Sequence, residues 1–253
     1  RKEMAQAADR DGGAATDTDI ATDARPEQVK AVFHDMTVLD TGLKHGTVTV
    51  LFPPEDTAKD NAGESQGGRI PVEITTYRID GEYSDSRHPE SVQFTSSLEQ
   101  DLARRDFTVN AIACDRHGVL TDPFGGAADI EARIIRAVGD PEKRFREDGL
   151  RIIRALRFAA KLGYDIEPGT AEALSGCREL LRDISAERIY SELCKLVTGE
   201  SAGDIVRKYT DVLGVVIPEL LPMKGFAQNN PYHRYDVLEH CIRAMEAVET
   251  SED

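Results

Sequence analysis

The sequence predicts an α+β fold in which a small mixed sheet is followed by an all-α neck and body. Before residue 80, short runs such as Thr47–Phe52 alternate between apolar and polar residues, the period of a strand with one buried face. After residue 140, apolar residues recur three and four positions apart, as in amphipathic helices. The chain of 253 residues is long enough to bury a core in one large or two to three small domains.

The first part of the chain supplies the predicted sheet. Its strands are expected at Thr16–Ile20, Thr37–Asp40, Thr47–Phe52 and Ile70–Arg78. A proline at a first helical turn, followed by apolar residues at positions 29, 32 and 33, predicts a short helix within residues 25–35. The polar segments 53–68 and 80–97 are expected to be loops.

Helices dominate the rest of the prediction. Ser97 and Gln100 have the spacing of a capping box at a helix start, and residues 129–138 are expected to form a hairpin or short strand that closes the first domain. A helix within 145–163 has an apolar stripe and Gly163 as its C-cap; the stripe is Leu150, Ile153, Leu156, Ala160 and Leu162. Three further helices are expected at Pro168–Leu181, Ser185–Leu196 and Ala202–Leu213. The predicted divisions are a head of residues 1–138, a neck of 139–198 and a body of 199–253.

Composition excludes several classes of protein. The net charge of −15 argues against a protein that coats nucleic acid non-specifically, although a local basic groove is compatible with it. The four cysteines are far apart and form no C-x-x-C pair, so neither a zinc knuckle nor a disulfide framework is predicted. No apolar run approaches the ~18 residues of a membrane span, and residues 1–13 lack the apolar centre of a signal peptide. We therefore expect no membrane partner and a cytoplasmic location.

Three carboxylates point to a divalent-cation site. Asp17 and Asp19 are two apart on a predicted strand, so their side chains point to the same face. Glu73 lies between Val72 and Ile74 and points away from them, so a neighbouring strand is able to present it beside the aspartates. Magnesium prefers such oxygen ligands and would position a triphosphate. The alternatives are a solvated acidic turn and an edge-strand glutamate that faces water.

Two polar groups have the chemistry to bind a nucleotide. Arg105, Asp106 and Asn110 place a cation, an acceptor and an amide within one or two helical turns, and a salt-bridged surface helix would use similar residues. Asp148 and Arg151 together match an amino donor beside a ring-nitrogen acceptor, the edge that cytosine and adenine share. Such a pair would reject uracil and guanine, but an ordinary i, i+3 salt bridge has the same spacing.

Seven segments in order resemble the class II nucleotidyltransferases, which comprise the bacterial CCA-adding tRNA nucleotidyltransferases and their poly(A) polymerase relatives. The resemblance covers roughly residues 14–253 and rests on DTDIATDA, LKHGTVTV, VEITTYR, SLEQDLARRDFTVNAIA, DPFGGAADI, EDGLRIIRALRFAAKLGYDI and ISAERIYSEL. It implies a nucleotidyltransferase head that adds C, C and A to the 3′ end of tRNA from CTP and ATP, without a nucleic-acid template. Two Mg²⁺ ions are implied as cofactors.

The resemblance also implies roles for individual residues. Asp17 and Asp19 match the metal ligands, and Glu73 matches the third catalytic carboxylate. The ribose-recognition motif corresponds to Arg105, Asp106 and Asn110; the base-selecting motif and its helix correspond to Glu147, Asp148, Arg151, Arg154 and Arg157. A later motif that stabilises the neck helices corresponds to Ser185, Glu187 and Arg188.

The sequence departs from the family pattern at both ends. The family has a Gly-Gly-x-Val-Arg-Asp turn and a helix well before the aspartates, whereas Gly12-Gly13 is only a few residues before Asp17. Either the turn is absent or intervening residues are omitted, and we favour omission because losing the helix would expose the apolar face of the sheet. Residues 228–240 resemble the opening of an HD phosphohydrolase domain, with His240 as its first metal ligand, but no His-Asp dipeptide follows.

Three alternatives to CCA addition stay open. One is a poly(A) polymerase of the same family, and another is a partial enzyme that adds only CC or only A. The segment 80–97, with Asp85 and Arg87, resembles the flexible element associated with adding A, which disfavours a CC-only enzyme. The third is a non-catalytic RNA-binding module.

Overall fold

The protein is described by a computed structural model that covers residues 19–53, 69–81, 92–229, 232 and 234–248. These residues divide into two compact units. The first unit contains the described residues up to Gly81, together with 92–104 and Arg116–Val119. The second contains Arg105–Asp115 and the described residues from Leu120 onward. The three-part division at residues 138 and 198 stays a prediction.

A four-stranded mixed sheet forms the first unit. Its strands are β1 (Asp19–Thr22), β2 (Thr37–Gly42), β3 (Thr47–Phe52) and β4 (Ile70–Thr76), in the order β1-β4-β3-β2. The β1–β4 pair is parallel and the other two pairs are antiparallel, which confirms the predicted small mixed sheet. Helix α1 (Pro26–Val32) is shorter than expected, because its last turn ends at a non-helical Phe33.

The two faces of this sheet differ in chemistry because side chains alternate along each strand. Val48 and Val50 of β3 pack with Val72 and Ile74 of β4, and Val29 of α1 covers them. Each such apolar side chain contributes about 1.5–3 kcal/mol when it is fully buried. Residues at the intervening positions lie on the opposite face, and these include the acidic residues of β1 and β4.

A hairpin and a helix complete the first unit. Strand β5 (Arg78–Asp80) pairs antiparallel with β6 (Val92–Phe94), and α2 (Leu98–Ala103) follows. The Ser97 hydroxyl accepts from Gln100 N, so the predicted N-cap is present, but the Gln100 side chain bonds the Thr95 hydroxyl instead of closing a capping box. Asp101 of α2 accepts from Arg78 N at 3.1 Å, which ties the helix to the hairpin.

The second unit is mostly helical, with three short strand pairings. Its helices are α3 (Gly126–Ala132), α4 (Pro141–Glu147), α5 (Leu150–Leu162), α6 (Pro168–Gly176), α7 (Ala186–Val197), α8 (Ala202–Lys208), α9 (Thr210–Leu213), α10 (Leu220–Met223) and α11 (Val237–Glu246). Its strands are β7 (Ala113–Cys114), β8 (Leu120–Thr121), β9 (Ile134–Ile135) and β10 (Asp165–Ile166), and 3-10 helices span Thr108–Asn110 and Arg178–Asp183. An isolated bridge joins Phe107 to Ala137.

Helix α5 lies at the centre of this unit and packs against α7 and α8. Leu150, Ile153, Leu156 and Ala160 of the predicted stripe are buried, but Leu162 is exposed because it lies at the last turn. Gly163 ends the helix in the left-handed region, with φ of 63°, as predicted.

The prediction of a hairpin or strand at 129–138 was wrong for its first part. Residues 126–132 form helix α3, Ile134–Ile135 form strand β9, and Ala137 makes the isolated bridge to Phe107. Asp122 explains the helix, because its carboxylate accepts from Gly126 N at 2.8 Å and Ala127 N at 2.9 Å. These bonds satisfy two amide groups at the helix start.

Among the described residues, no helix combines the length and the apolar character that crossing a membrane requires.

Candidate functional site

Asp19 and Glu73 are neighbours across the parallel pair of β1 and β4. They are register partners, and adjacent strands are about 4.8 Å apart, so their side chains leave the sheet side by side. Both are exposed, on the face opposite the apolar cluster. Asp17 lies outside the described residues. The arrangement matches the expectation that β4 presents Glu73 beside Asp19, and the catalytic roles stay predictions.

Two adjacent carboxylates fit a magnesium ion, because Mg²⁺ is commonly held by one or two carboxylates and keeps several waters. Asp19 and Glu73 supply such a pair. Within the described part of the chain, no group of three or more His, Cys, Asp or Glu residues is arranged to hold a metal. That part includes His240, which is exposed on α11.

The second unit brings the predicted ribose-binding residues together. Arg105, Asp106 and Asn110 do not lie on one helix as expected, since α2 ends at Ala103 and Asn110 ends a separate 3-10 helix. The turn between these elements places them in contact. Arg105 Nη1 donates to Asn110 O at 3.2 Å, and Asn110 Nδ2 donates to Asp106 Oδ1 at 3.4 Å.

Asp106 is anchored by Arg154 of α5. The Nε of Arg154 donates to Asp106 Oδ2 at 2.8 Å, and its Nη2 donates to the same oxygen. Phe107 N donates to Oδ1 at 2.9 Å. Burial by itself lowers the pKa of Arg154, but the carboxylates of Asp106, Glu192 and Asp148 together outweigh burial and raise that pKa above its usual value. Arg105, Asp106 and Asn110 are therefore connected to Arg154 of α5 in one hydrogen-bond network.

Glu192 of α7 pairs with Arg154 and Arg157 of α5, and the sequence analysis did not identify it. Its carboxylate is buried, and its Oε2 lies 2.6 Å from Arg157 Nε while its Oε1 lies 4.0 Å from Arg154 Nη1. The guanidinium of Arg157 also stacks on Phe158, 3.8 Å from the ring centroid. Burial lowers the pKa of Arg157, and the attraction of Glu192 only partly offsets it. The available signal was a charged residue on the apolar face of an amphipathic helix.

Each member of the predicted base-selecting pair has a salt-bridge partner outside the pair. Asp148 Oδ2 accepts from Arg188 Nη2 at 2.8 Å, and Asp148 Oδ1 accepts from Leu150 N at 3.0 Å. Arg151 Nη1 donates to Glu147 Oε2 at 2.7 Å. Asp148 follows the last residue of α4 in an extended conformation, so it lies in the junction between α4 and α5.

Arg188 and Glu192 are four residues apart on α7, so they lie on one face of that helix. Arg188 binds the junction between α4 and α5, whereas Glu192 binds the arginines further along α5. One helix face therefore orients both the predicted base-selecting carboxylate and the predicted triphosphate arginines.

The chain matches two family models and a set of curated relatives. Residues 10–136 match the family described as "Poly A polymerase head domain", and residues 163–223 match "Probable RNA and SrmB- binding site of polymerase A". The chain is 43% identical over 216 residues to a CCA-adding enzyme of Lactobacillus helveticus, which covers 85% of this chain and 50% of the relative. It thus spans about half the length of the curated relatives it matches.

Two solved structures are similar to this chain over most of its length. A CCA-adding enzyme of Bacillus stearothermophilus in complex with CTP is 39% identical, with a TM-score of 0.64, over 91% of this chain and 48% of that one. A tRNA nucleotidyltransferase complexed with a primer tRNA and an incoming ATP analog is 26% identical, with a TM-score of 0.59, over 86% of this chain and 57% of that one.

Proposed function

Because the chain belongs to the poly(A) polymerase head-domain family, we propose that it adds C, C and A to the 3′ end of tRNA from CTP and ATP. The 3′-hydroxyl of the RNA attacks the α-phosphate in line, and pyrophosphate leaves. The observation that carries the proposal is the register of Asp19 with Glu73, which puts two carboxylates side by side on the polar face of the sheet. Likeness to a CTP-bound CCA-adding enzyme over 91% of the chain supports it. A cytoplasmic location stays a prediction.

Asp19 and Glu73, with Asp17 two residues earlier in the sequence, would hold magnesium in this reaction. When bound, two magnesium ions lower the pKa of the attacking hydroxyl and neutralise charge on the phosphates. The carboxylates themselves contribute position, because strand pairing fixes the spacing of β1 and β4.

The nucleotide would be recognised by the network around α5. Arg105 and Asn110 supply a cation and an amide for the ribose and phosphates, and Arg154 and Arg157 supply charge for the triphosphate. Asp148 accepts from the amino group of cytosine or adenine, and Arg151 donates to the adjacent ring nitrogen. Uracil and guanine would make neither of these two hydrogen bonds, which costs about 1–3 kcal/mol for each lost bond.

A poly(A) polymerase activity is the alternative that the description of the matching family favours. It would use ATP alone and extend many RNAs. Supplying labelled CTP with a tRNA that lacks its last three nucleotides separates the two activities, because only CCA or CC addition incorporates the label. An A-only enzyme would label the RNA with ATP only when the two cytidines are already present.

The test is incorporation of labelled CTP and ATP, separately and together, on tRNA trimmed to each intermediate length. We expect magnesium-dependent addition of two cytidines and one adenosine. Asp19→Asn keeps the shape of the side chain but removes its charge, so we expect turnover to fall by at least about a hundredfold while the melting temperature is unchanged. Full activity of this variant, or no incorporation by the natural protein, would refute the proposal.

A further inference from the structure

A buried polar pair joins the 3-10 helix Thr108–Asn110, the turn that carries Asn110, to helix α3. Thr108, its first residue, is 1% exposed, and Asp129 of α3 is 6% exposed. The Thr108 hydroxyl donates to Asp129 Oδ2 at 2.7 Å, and Arg136 Nε donates to the same carboxylate at 3.1 Å. Burying a hydroxyl and a charge is costly unless both are hydrogen-bonded, so this pair is held in a single arrangement.

The backbone of the same turn is fixed on two further sides. Thr108 N donates to Arg136 O at 2.9 Å and Val138 N donates to Asp106 O at 3.1 Å, so residues 136–138 run beside 106–108. On the other side, Gly126 approaches so closely that a Cβ at this position would lie 2.1 Å from the Thr108 carbonyl oxygen. Only glycine fits there. The turn therefore has little freedom to shift while these contacts hold.

Asn110 lies at the end of this turn, and its side-chain oxygen Oδ1 is available to accept a hydrogen bond from a sugar. The Asp106 carboxylate already accepts from Phe107 N, from Asn110 Nδ2 and from two nitrogens of Arg154, which uses its four acceptor positions. Asn110 Oδ1 accepts no hydrogen bond from the described part of the chain, and Asn110 is only half-buried. An amide oxygen in this state is suited to accept from a ribose hydroxyl.

We propose that Thr108 and Asp129 are positioning residues for the sugar of the incoming nucleotide, because they fix the turn that presents Asn110. The inference rests on the proposed nucleotidyl transfer. Neither residue has to touch the substrate. Their hydrogen bond sets where the Asn110 amide lies, and the 2′-hydroxyl that this amide reads is the group that separates a ribonucleotide from a deoxyribonucleotide.

The test compares CTP with dCTP in the full-length protein, using tRNA that lacks its last three nucleotides. Thr108→Val keeps the branched shape and removes the hydroxyl, and we expect the ratio of kcat/KM for CTP over dCTP to fall about tenfold, as loss of one hydrogen bond predicts. The ratio for CTP over UTP should not change, because base reading uses other residues. Thr108→Ser restores the hydroxyl and should recover most of the sugar preference.

Matched variants separate positioning from general loosening. Thr210→Val removes another fully buried threonine hydroxyl, one that donates to Val206 O of the preceding helix α8, and it should leave the CTP over dCTP ratio unchanged. Asp129→Asn replaces the charged acceptor of the Thr108 hydroxyl with a neutral one, which weakens that hydrogen bond and should lower the ratio in the same direction. This variant keeps the test valid if Thr108→Val does not fold.

The outcomes are distinguishable. If the natural protein incorporates no nucleotide, the proposed function and this inference both fail. If it incorporates CTP but Thr108→Val and Asp129→Asn keep the natural sugar preference, or if no preference exists, the inference fails and the proposed function stands.

Discussion

Replacing Glu192 by glutamine removes one negative charge from a site where two arginines depend on it. Glu192 Oε2 lies 2.6 Å from Arg157 Nε, and the two side chains are only 9% and 12% exposed. Arg154 keeps Asp106 as a second ion-pair partner, so the loss of charge compensation falls mainly on Arg157. Breaking a buried ion pair by removing one member costs about 3–5 kcal/mol, because the remaining charge is left uncompensated in a poorly solvated position.

Thermal unfolding followed by circular dichroism measures this cost. For a domain of this size each kcal/mol corresponds to about 2–4 °C, so Glu192→Gln should lower the melting temperature by about 6–20 °C. Adding Arg157→Met should recover much of the loss, since replacing both members of a buried pair by uncharged side chains is often neutral. The double variant tests the origin of the effect as well as its size.

Glu179→Gln is the matched control. Glu179 pairs with Arg182 at 2.8 Å, but both side chains are more than half exposed, so we expect no measurable change in melting temperature. A change of less than about 1 kcal/mol for Glu192→Gln, or failure of Arg157→Met to recover stability, would refute the reasoning that charge burial drives the cost.

Two further predictions concern specificity and pH. Arg188→Ala frees the Asp148 carboxylate, whose salt bridge is 2.8 Å long, so the kcat/KM ratio for CTP over UTP should fall about tenfold; an unchanged ratio would contradict a role in base selection. Burial raises the pKa of Glu167, but hydrogen bonds from Thr170 N, Gly169 N and the Thr170 hydroxyl outweigh it and lower that pKa overall. Glu167 therefore stabilises the fold above the ordinary glutamate pKa of about 4.3, and this contribution is lost as pH falls through its lowered folded-state pKa. Urea unfolding of the natural protein and Glu167→Gln should differ at pH 7 and converge in acid, whereas a constant difference would contradict the assignment.

Local pattern in the sequence was sufficient for much of the fold. The alternation in β3 and β4 predicted both strands and put Glu73 on the face away from Val72 and Ile74, as the structure shows. The stripe of α5 and its glycine cap were predicted for the same reason, since periodicity and capping depend on neighbours within a few residues. The mixed sheet itself was also expected.

What the sequence by itself determined is therefore the residue types, most of the elements and the face of β4 on which Glu73 lies. Tertiary structure decided the partners. Arg188 binds Asp148, Glu192 binds Arg157 and Arg154 binds Asp106, each across a long stretch of chain. Spacing carries no information about such pairs, because they depend on how whole helices pack. The same packing brought the Thr108 hydroxyl into a hydrogen bond with Asp129, and no sequence motif connects these two residues.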